Sequence, residues 1–429
     1  MNQNGQSLGR INVLDSMRGI TLLFIFLCNI PALIFMIGNE DIKEFDDNPI
    51  VEDVVVVNDI EKVVYADGSK EILDDMKSDE DGKKVDYIPE ITAGSIIGIL
   101  FSDSSRPLFA FMFGISAVLM YDLLRKRQAK PISVLLRRML TLALFGALHL
   151  FFIWSGDILF TYAIGGFLLL LFIKLPQKWL LTVGLLFFTY AVAGFWIEDL
   201  TGVPVSIGTG MYDLLPESTP DFLYSMIASL DGALSHLGFM LLGMYAYRAG
   251  MFTQLPHKRL FLWITSSILL VIGIAGKAID FMVLFDFSMP WVISGIANAT
   301  VTAGYIFLFL AIGTSEKVVR LLLVPFQSVG RMAFTNYLTQ SLIFWTAAIA
   351  INKIPFFSNL TFISDISELQ LYGLALAIFL LQMICSHFWL KRFVYGPLEW
   401  IWRLGTYWKF VPIRRRVAVG EIGEKASGM

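Results

Sequence analysis

Charge is scarce in this chain. Asp, Glu, Lys and Arg make up 16% of its 429 residues, against about 25% in an ordinary soluble domain. Histidine occurs four times and cysteine twice. Both cysteines, Cys28 and Cys385, fall inside apolar runs. They read as small packing residues and not as a disulfide, so they say nothing about redox compartment. The sequence also has no P-loop, no G-x-G-x-x-G after a strand, no H-E-x-x-H, no C-x-x-C and no G-x-S-x-G elbow. These absences leave no metal site to expect and no resident cofactor implied. Nothing indicates nucleic-acid binding.

Hydrophobicity is what the chain has in abundance: 56% of residues are apolar and the mean hydropathy is +0.67. The expected fold is an all-α polytopic membrane protein. Apolar runs of about 17–25 residues mark the crossings. Ten are read, at 19–37, 106–123, 139–155, 158–174, 179–196, 227–247, 260–276, 291–313, 332–350 and 369–390. No A-x-A cleavage site follows the first run, which is too long for a signal peptide's apolar core, so it is expected to remain as a helix.

Lys and Arg set the orientation. Arg10 and Arg18 precede the first span, and Arg125, Lys126, Arg127, Lys130, Arg137 and Arg138 lie between the second and third. Every second loop is basic, and Lys391, Arg392, Arg414, Arg415 and Arg416 follow the tenth span. Both termini are therefore expected in the cytoplasm, with the chain multi-pass in a bacterial cytoplasmic membrane. The expected organisation is a cytoplasmic N-terminus over 1–18, the first helix over 19–37, an insert over 38–90, a helical bundle over 91–390 and a basic cytoplasmic C-terminus over 391–429. The insert holds 18 acidic residues against 6 basic ones, a balance of −12. Its runs VEDVVVV and KVVYADGSKEIL are strand-like, with Ala66-Asp67-Gly68 as a hairpin turn. The insert is expected to be small, acidic, partly β and extracytoplasmic. A calcium loop around Gly82 fails, because Lys77 and Ile88 would fall on ligand positions.

Against this apolar ground the buried polar residues stand out. Counting from Arg138, His149 lies eleven residues on, about 16 Å deep at 1.5 Å per residue, on the same helix face. Asn29 lies eleven residues after Arg18, at a matching depth. Asp15 can pair with Arg18 at i, i+3. Polar groups at such depth face the bundle interior or a water-filled cavity. For His149 two readings stand: a satisfied packing histidine, or a base, ligand or proton carrier. Asp157, in the short Gly156-Asp157 turn, is expected at the outer mouth. Arg106 is the one basic residue near the outer edge of the second span, placed to hold an anion or to pair with Asp103. Arg331 opens the ninth span, whose Asn336 and Gln340 share a face and should meet other helices. His236 and His387 read as structural.

The stretches LDSMRGITLLFIFLCNI, FMFGI, RRMLTLALFGALHLFFIWSGDILFTYAIGG, YRAG, GRMAFTNYLTQSLI and YGPLEWIWR together resemble the YeiB-like bacterial membrane proteins (domain of unknown function 418), from about residue 10 to 405. His149, Asp157, Asn29, Arg331, Asn336 and Gln340 fall within these stretches; His236 and His387 do not match the pattern. The insert at 38–90 looks longer than is usual for the family. That family in turn looks distantly similar to transmembrane acyltransferases. The resemblance implies transfer of an acyl group from cytoplasmic acyl-CoA, as co-substrate, to an envelope glycan or lipid acceptor. His149 would be the base and Asn29 a donor to the oxyanion. Asp157, Arg106, Asp15, Arg18, Arg138, Arg331, Asn336 and Gln340 would bind substrate. The expected partners are the lipid bilayer, acyl-CoA, the acceptor and a second copy in a homodimer. The other reading is a transporter or exporter of a small solute, using the same interior residues as a pathway.

Overall fold

A computed structural model describes residues 3–38, 51–57, 60–65, 91–154, 156–201, 215–216, 219–254, 258–283, 291–315, 318–319, 323–353 and 367–415. The helices are α1 (Gln3–Gly38), α2 (Ala93–Phe101), α3 (Ser105–Lys126), α4 (Pro131–Phe152), α5 (Leu159–Phe172), α6 (Gln177–Thr201), α7 (Asp221–Arg248), α8 (Met251–Gln254), α9 (Arg259–Val283), α10 (Trp291–Gly313), α11 (Val324–Arg331), α12 (Ala333–Lys353), α13 (Glu368–Arg392) and α14 (Pro397–Tyr407). Between α1 and α2 runs one antiparallel pair, β1 (Val51–Val57) with β2 (Ile60–Tyr65). The pair reverses between Val57 and Ile60, ahead of the turn expected at 66–68, which lies outside the described residues, as does the rest of the acidic stretch.

Each of the ten expected spans overlaps a helix. Seven segments are long and apolar enough to cross a membrane: Val13–Leu33, Ala93–Lys126, Pro131–Phe152, Phe222–Arg248, Arg259–Phe281, Ser294–Gly313 and Glu368–Arg392. Leu159–Phe172 and Gln177–Ala193 are apolar but shorter. The chain is a multi-pass membrane protein. Its outward faces bear this out. On α4, Leu136, Leu140, Leu144, Leu148 and Phe151 form one exposed stripe; on α9, Leu260, Ile264, Ile268, Val271 and Ile272 form another. Such continuous apolar surface is unfavourable in water and ordinary in lipid.

Two apolar clusters share the interior. The larger joins α1, α3 to α7, α12 and α13 around Phe26, Leu135, Tyr162, Met240 and Phe379. The smaller joins α1, α3 and α10 around Met17, Met112, Ile115 and Phe309. With lipid outside, helix association rests on close van der Waals packing and interhelical hydrogen bonds. The α3–α7 crossing shows the first device. A Cβ on Gly114 would meet the Met240 carbonyl oxygen at 1.9 Å, and one on Gly243 the Phe111 carbonyl oxygen at 2.0 Å.

Two differences from the sequence reading matter for the site. Helix α1 begins at Gln3, so the N-terminal segment before the first span is itself helical. Helix α4 begins at Pro131, seven residues before Arg138. His149 therefore lies in its last turn, three residues from the end, and not at its middle. The sequence count from Arg138 starts seven residues inside the helix.

Candidate functional site

The site is built by the hairpin of α4 and α5. Helix α4 ends at Phe152, and the amides of Ile153 and Trp154 both donate to the His149 carbonyl oxygen, at 3.0 and 2.9 Å. The chain then reverses through Gly156 and Asp157 into α5. The two helices lie close because of Gly146, one turn before His149: a Cβ there would meet the Phe160 amide nitrogen at 2.4 Å. This close approach carries Asp157 back against α4, where its Oδ1 lies 2.8 Å from His149 Nδ1. Both side chains are sealed from the surroundings, at 1% and 0% exposure.

The electrostatics favour the pair on both sides. A carboxylate here also accepts from the Phe160 amide through Oδ2, at 2.7 Å, and so sits at the positive end of the α5 dipole. The imidazole sits at the negative end of α4, where positive charge is stabilised. A carboxylate partner only accepts, so Nδ1 carries a hydrogen, and in the neutral imidazole Nε2 then holds the lone pair. That Nε2 is buried without a hydrogen-bond partner. Aromatic rings surround it: Tyr337 of α12 at 5.6 Å between centroids and Trp154 edge-on at 6.4 Å. The Tyr337 hydroxyl accepts from the Ile158 amide at 3.3 Å. A buried imidazole with one nitrogen fixed and the other free is equipped to take a proton from a bound hydroxyl or amine.

Asp157 is thus no residue of an open mouth. It lies in the expected turn, but packing inverts its setting. Asn29 is buried on α1. Helix α12 packs against α1 and, through Phe334 on Phe145 and Tyr337 on His149, against α4. It therefore packs on the helix that carries Asn29 and directly on His149. Arg106 is exposed at the start of α3, and no ion pair joins it to Asp103 among the described residues. Its carbonyl accepts from the Tyr162 hydroxyl at 2.7 Å.

The remaining expected residues go elsewhere. Arg18 donates to Asp15 Oδ1 and to Ser116 Oγ, both at 2.6 Å, which gives the expected i, i+3 pair. Arg331 donates to the Val394 carbonyl at 3.1 Å. The Arg138 guanidinium lies 3.7 Å above the Trp402 ring, while the Trp402 indole donates to the Arg138 carbonyl at 3.0 Å. Asn336 donates to Ser386 Oγ at 3.0 Å, and Gln340 to Gln382 Oε1 at 2.9 Å. Gln382 returns bonds to the Asn336 carbonyl and Thr339 Oγ1. The polar face of α12 is a ladder to α13. His236 bonds the Gly232 carbonyl of its own helix at 2.6 Å and meets the edge of the Tyr162 ring, as its structural reading expects. Among the described residues no cluster of metal-ligating side chains occurs.

Three participants went unread in the sequence. Tyr337 is one tyrosine among fourteen, and only tertiary packing singles it out. Lys277 sits buried inside the apolar segment Arg259–Phe281. It donates to the carbonyls of Gly98, at 3.0 Å, and Ser102, at 2.5 Å, where the apolar segment Ala93–Lys126 breaks between α2 and α3. A lysine within so apolar a run was the available signal. Glu399 of α14 caps the start of α12: its two oxygens accept from the Thr335 amide at 3.0 Å and the Thr335 hydroxyl at 2.5 Å.

The chain is similar to other sequences over most of its length. A family profile described as "Protein of unknown function (DUF418)" matches residues 246–409, which contain the α12–α13 ladder and Glu399 but not His149 or Asp157. Over 370 residues the chain is 28% identical to the uncharacterized protein YxaH of Bacillus subtilis (strain 168), covering 77% of this chain and 86% of that protein. It is 28% identical over 324 residues to an uncharacterized 39.9 kDa protein from the amylase 3' region of Bacillus acidopullulyticus, covering 72% and 81%. It is 26% identical over 337 residues to the uncharacterized protein YeiB of Escherichia coli (strain K12), covering 69% and 80%. The chain is a multi-pass membrane protein that carries a DUF418 match over residues 246–409 and is similar over most of its length to these YeiB-like proteins.

Proposed function

We propose that this protein is a membrane-embedded acyltransferase, with ten crossings and both termini in the cytoplasm. It takes an acyl group from acyl-CoA on the cytoplasmic side and delivers it to an envelope acceptor. The observation that carries this reading is the buried His149–Asp157 pair with its unpartnered Nε2. Asp157 holds the imidazole in one tautomer and balances the charge that forms on it. Nε2 takes the proton of the acceptor hydroxyl or amine as that atom bonds to the thioester carbonyl carbon. The carbon–sulfur bond then breaks, and the imidazolium returns the proton to the departing thiolate. Asn29, buried on α1, serves as an oxyanion donor. Arg18 and Arg331, at the same end of the bundle as Arg138, favour an anionic donor.

The test uses purified protein with labelled acetyl-CoA and an envelope extract. His149→Ala is expected to lower transfer by about 10²–10⁴-fold while leaving the size-exclusion profile unchanged. Transfer by the alanine variant at the wild-type rate would overturn the reading.

One observation favours a second reading, a solute transporter. Transporters often bind substrate where a membrane helix is broken and its backbone is held by neighbouring side chains. The α2–α3 break, held by Lys277 and by Tyr305, whose hydroxyl donates to the Leu100 carbonyl at 2.9 Å, has that form. Solute flux abolished by Lys277→Met but retained in His149→Ala would favour it.

A further inference from the structure

Three arginines are stacked on rings where α14 docks on α4. Arg138 lies with its guanidinium 3.7 Å over the Trp402 ring, Arg137 with its own 5.1 Å over Trp408, and Arg403 with its own 4.1 Å over Tyr395. A guanidinium stacked on a ring is held flat by one face, while its N–H donors radiate in its plane. Stacking therefore orients these groups without consuming their hydrogen bonds. Among the described residues no side-chain acceptor meets any of the three, and the Arg137 Nε is buried without a partner. The charges of Arg403 and Arg18 both bear on Arg138, so like charges have been brought together. The nearby carboxylates do not answer them. Helix α4 has no acidic residue, Asp15 of α1 is taken by Arg18, and Glu399 of α14 is taken by Thr335. The docking itself is close: a Cβ on Gly405 would meet Thr141 Oγ1 at 2.5 Å.

Stacked cations with unpaired, pre-oriented donors are matched by an anion with several acceptor oxygens. The geometry points to a phosphate-binding site formed by Arg137, Arg138 and Arg403 at the α4–α14 corner. Two sources share that chemistry: the headgroup of an anionic phospholipid, and a soluble phosphorylated ligand such as a nucleotide co-substrate. The site stands apart from His149 and does not depend on what that residue does.

The experiment follows tryptophan fluorescence of the full-length protein, since Trp402 and Trp408 are the stacking rings. In detergent, coenzyme A and 3'-dephospho-coenzyme A are titrated in. In nanodiscs, bilayers of phosphatidylcholine alone are compared with bilayers containing phosphatidylglycerol. Saturable coenzyme A binding identifies a soluble phosphate ligand; a response confined to phosphatidylglycerol identifies a lipid headgroup. In either case Arg403→Gln and Arg137→Gln should each weaken binding by about tenfold or more. Arg403→Lys, which keeps the charge and loses the fork, should recover part of it. Melting temperature reads folding separately from binding. Absence of a response to every probe overturns the proposal, and so does unchanged affinity in folded Arg403→Gln and Arg137→Gln.

Discussion

At Asp157 the chemistry of one side chain decides another's. Replacing the carboxylate by an amide keeps the shape but allows donation to Nδ1, which would move the hydrogen onto Nε2 and remove the lone pair the proposed reaction uses. Asp157→Asn is therefore expected to cost transfer nearly as much as His149→Ala, about 10²–10⁴-fold, with little change in melting temperature. A loss of folding in place of a loss of rate would mark the pair as structural. Glu399 offers a second residue-scale test. Burial raises its pKa above the ordinary value, against the lowering effect of the hydrogen bonds from Thr335. An acid whose folded pKa is raised binds its proton more tightly in the folded state. Its contribution to stability is complete below the unfolded value near 4.5 and fades as pH rises through the higher folded value. The melting temperature of detergent-solubilised protein should fall over that interval, and Glu399→Gln should flatten the fall. A wild-type profile matching that of the variant would refute this.

At the scale of the helices, what could be read from sequence depended on where each signal arises. Apolar runs are local, so the ten spans all overlap helices. The Asp15–Arg18 pair, three residues apart on one helix, was equally local. The His149–Asp157 contact was not. Eight residues do not place two side chains together on a helix; they meet because the chain reverses between them, and helix ends are what hydropathy fixes least well. Gly146 is the element-scale key to that reversal. Gly146→Leu should force α5 off α4, break the pair and lower the melting temperature, and a fully active, unshifted variant would contradict the geometry. The α12–α13 ladder makes the opposite case. Asn336 and Gln340 were legible as polar and facing helices, but their partners Ser386 and Gln382 follow only from three dimensions. Gln340→Leu leaves Gln382 short of one partner. Each such interhelical bond is worth roughly 0.6–2 kcal/mol in a membrane, so a fall of a few degrees in melting temperature is expected.

For the whole molecule, the surface and the interior follow one rule in reverse of a soluble protein. Large apolar side chains line the outside, while Asn, Gln, Ser and Lys occupy contacts between helices, where their hydrogen bonds hold the bundle together. The orientation expected from charge in the loops is open to a direct test. With Cys28 and Cys385 replaced by alanine, a single cysteine placed at Gly68 should react with an impermeant maleimide added from outside intact cells, and one placed at Ala426 should not. Labelling of Ala426 but not Gly68 would reverse the arrangement and move the arginine corner of α4 and α14 to the other side of the membrane.

The hairpin of α4 and α5 has a consequence for how the protein is made. Its histidine and aspartate leave the ribosome within seconds of each other, at about 5–20 residues per second. They belong to neighbouring helices that can enter the bilayer as one unit. The carboxylate thus finds its imidazole before α12, with Tyr337, has been synthesised. Neither group waits unpaired in the lipid for a distant segment, and the later helices assemble around a pair already formed.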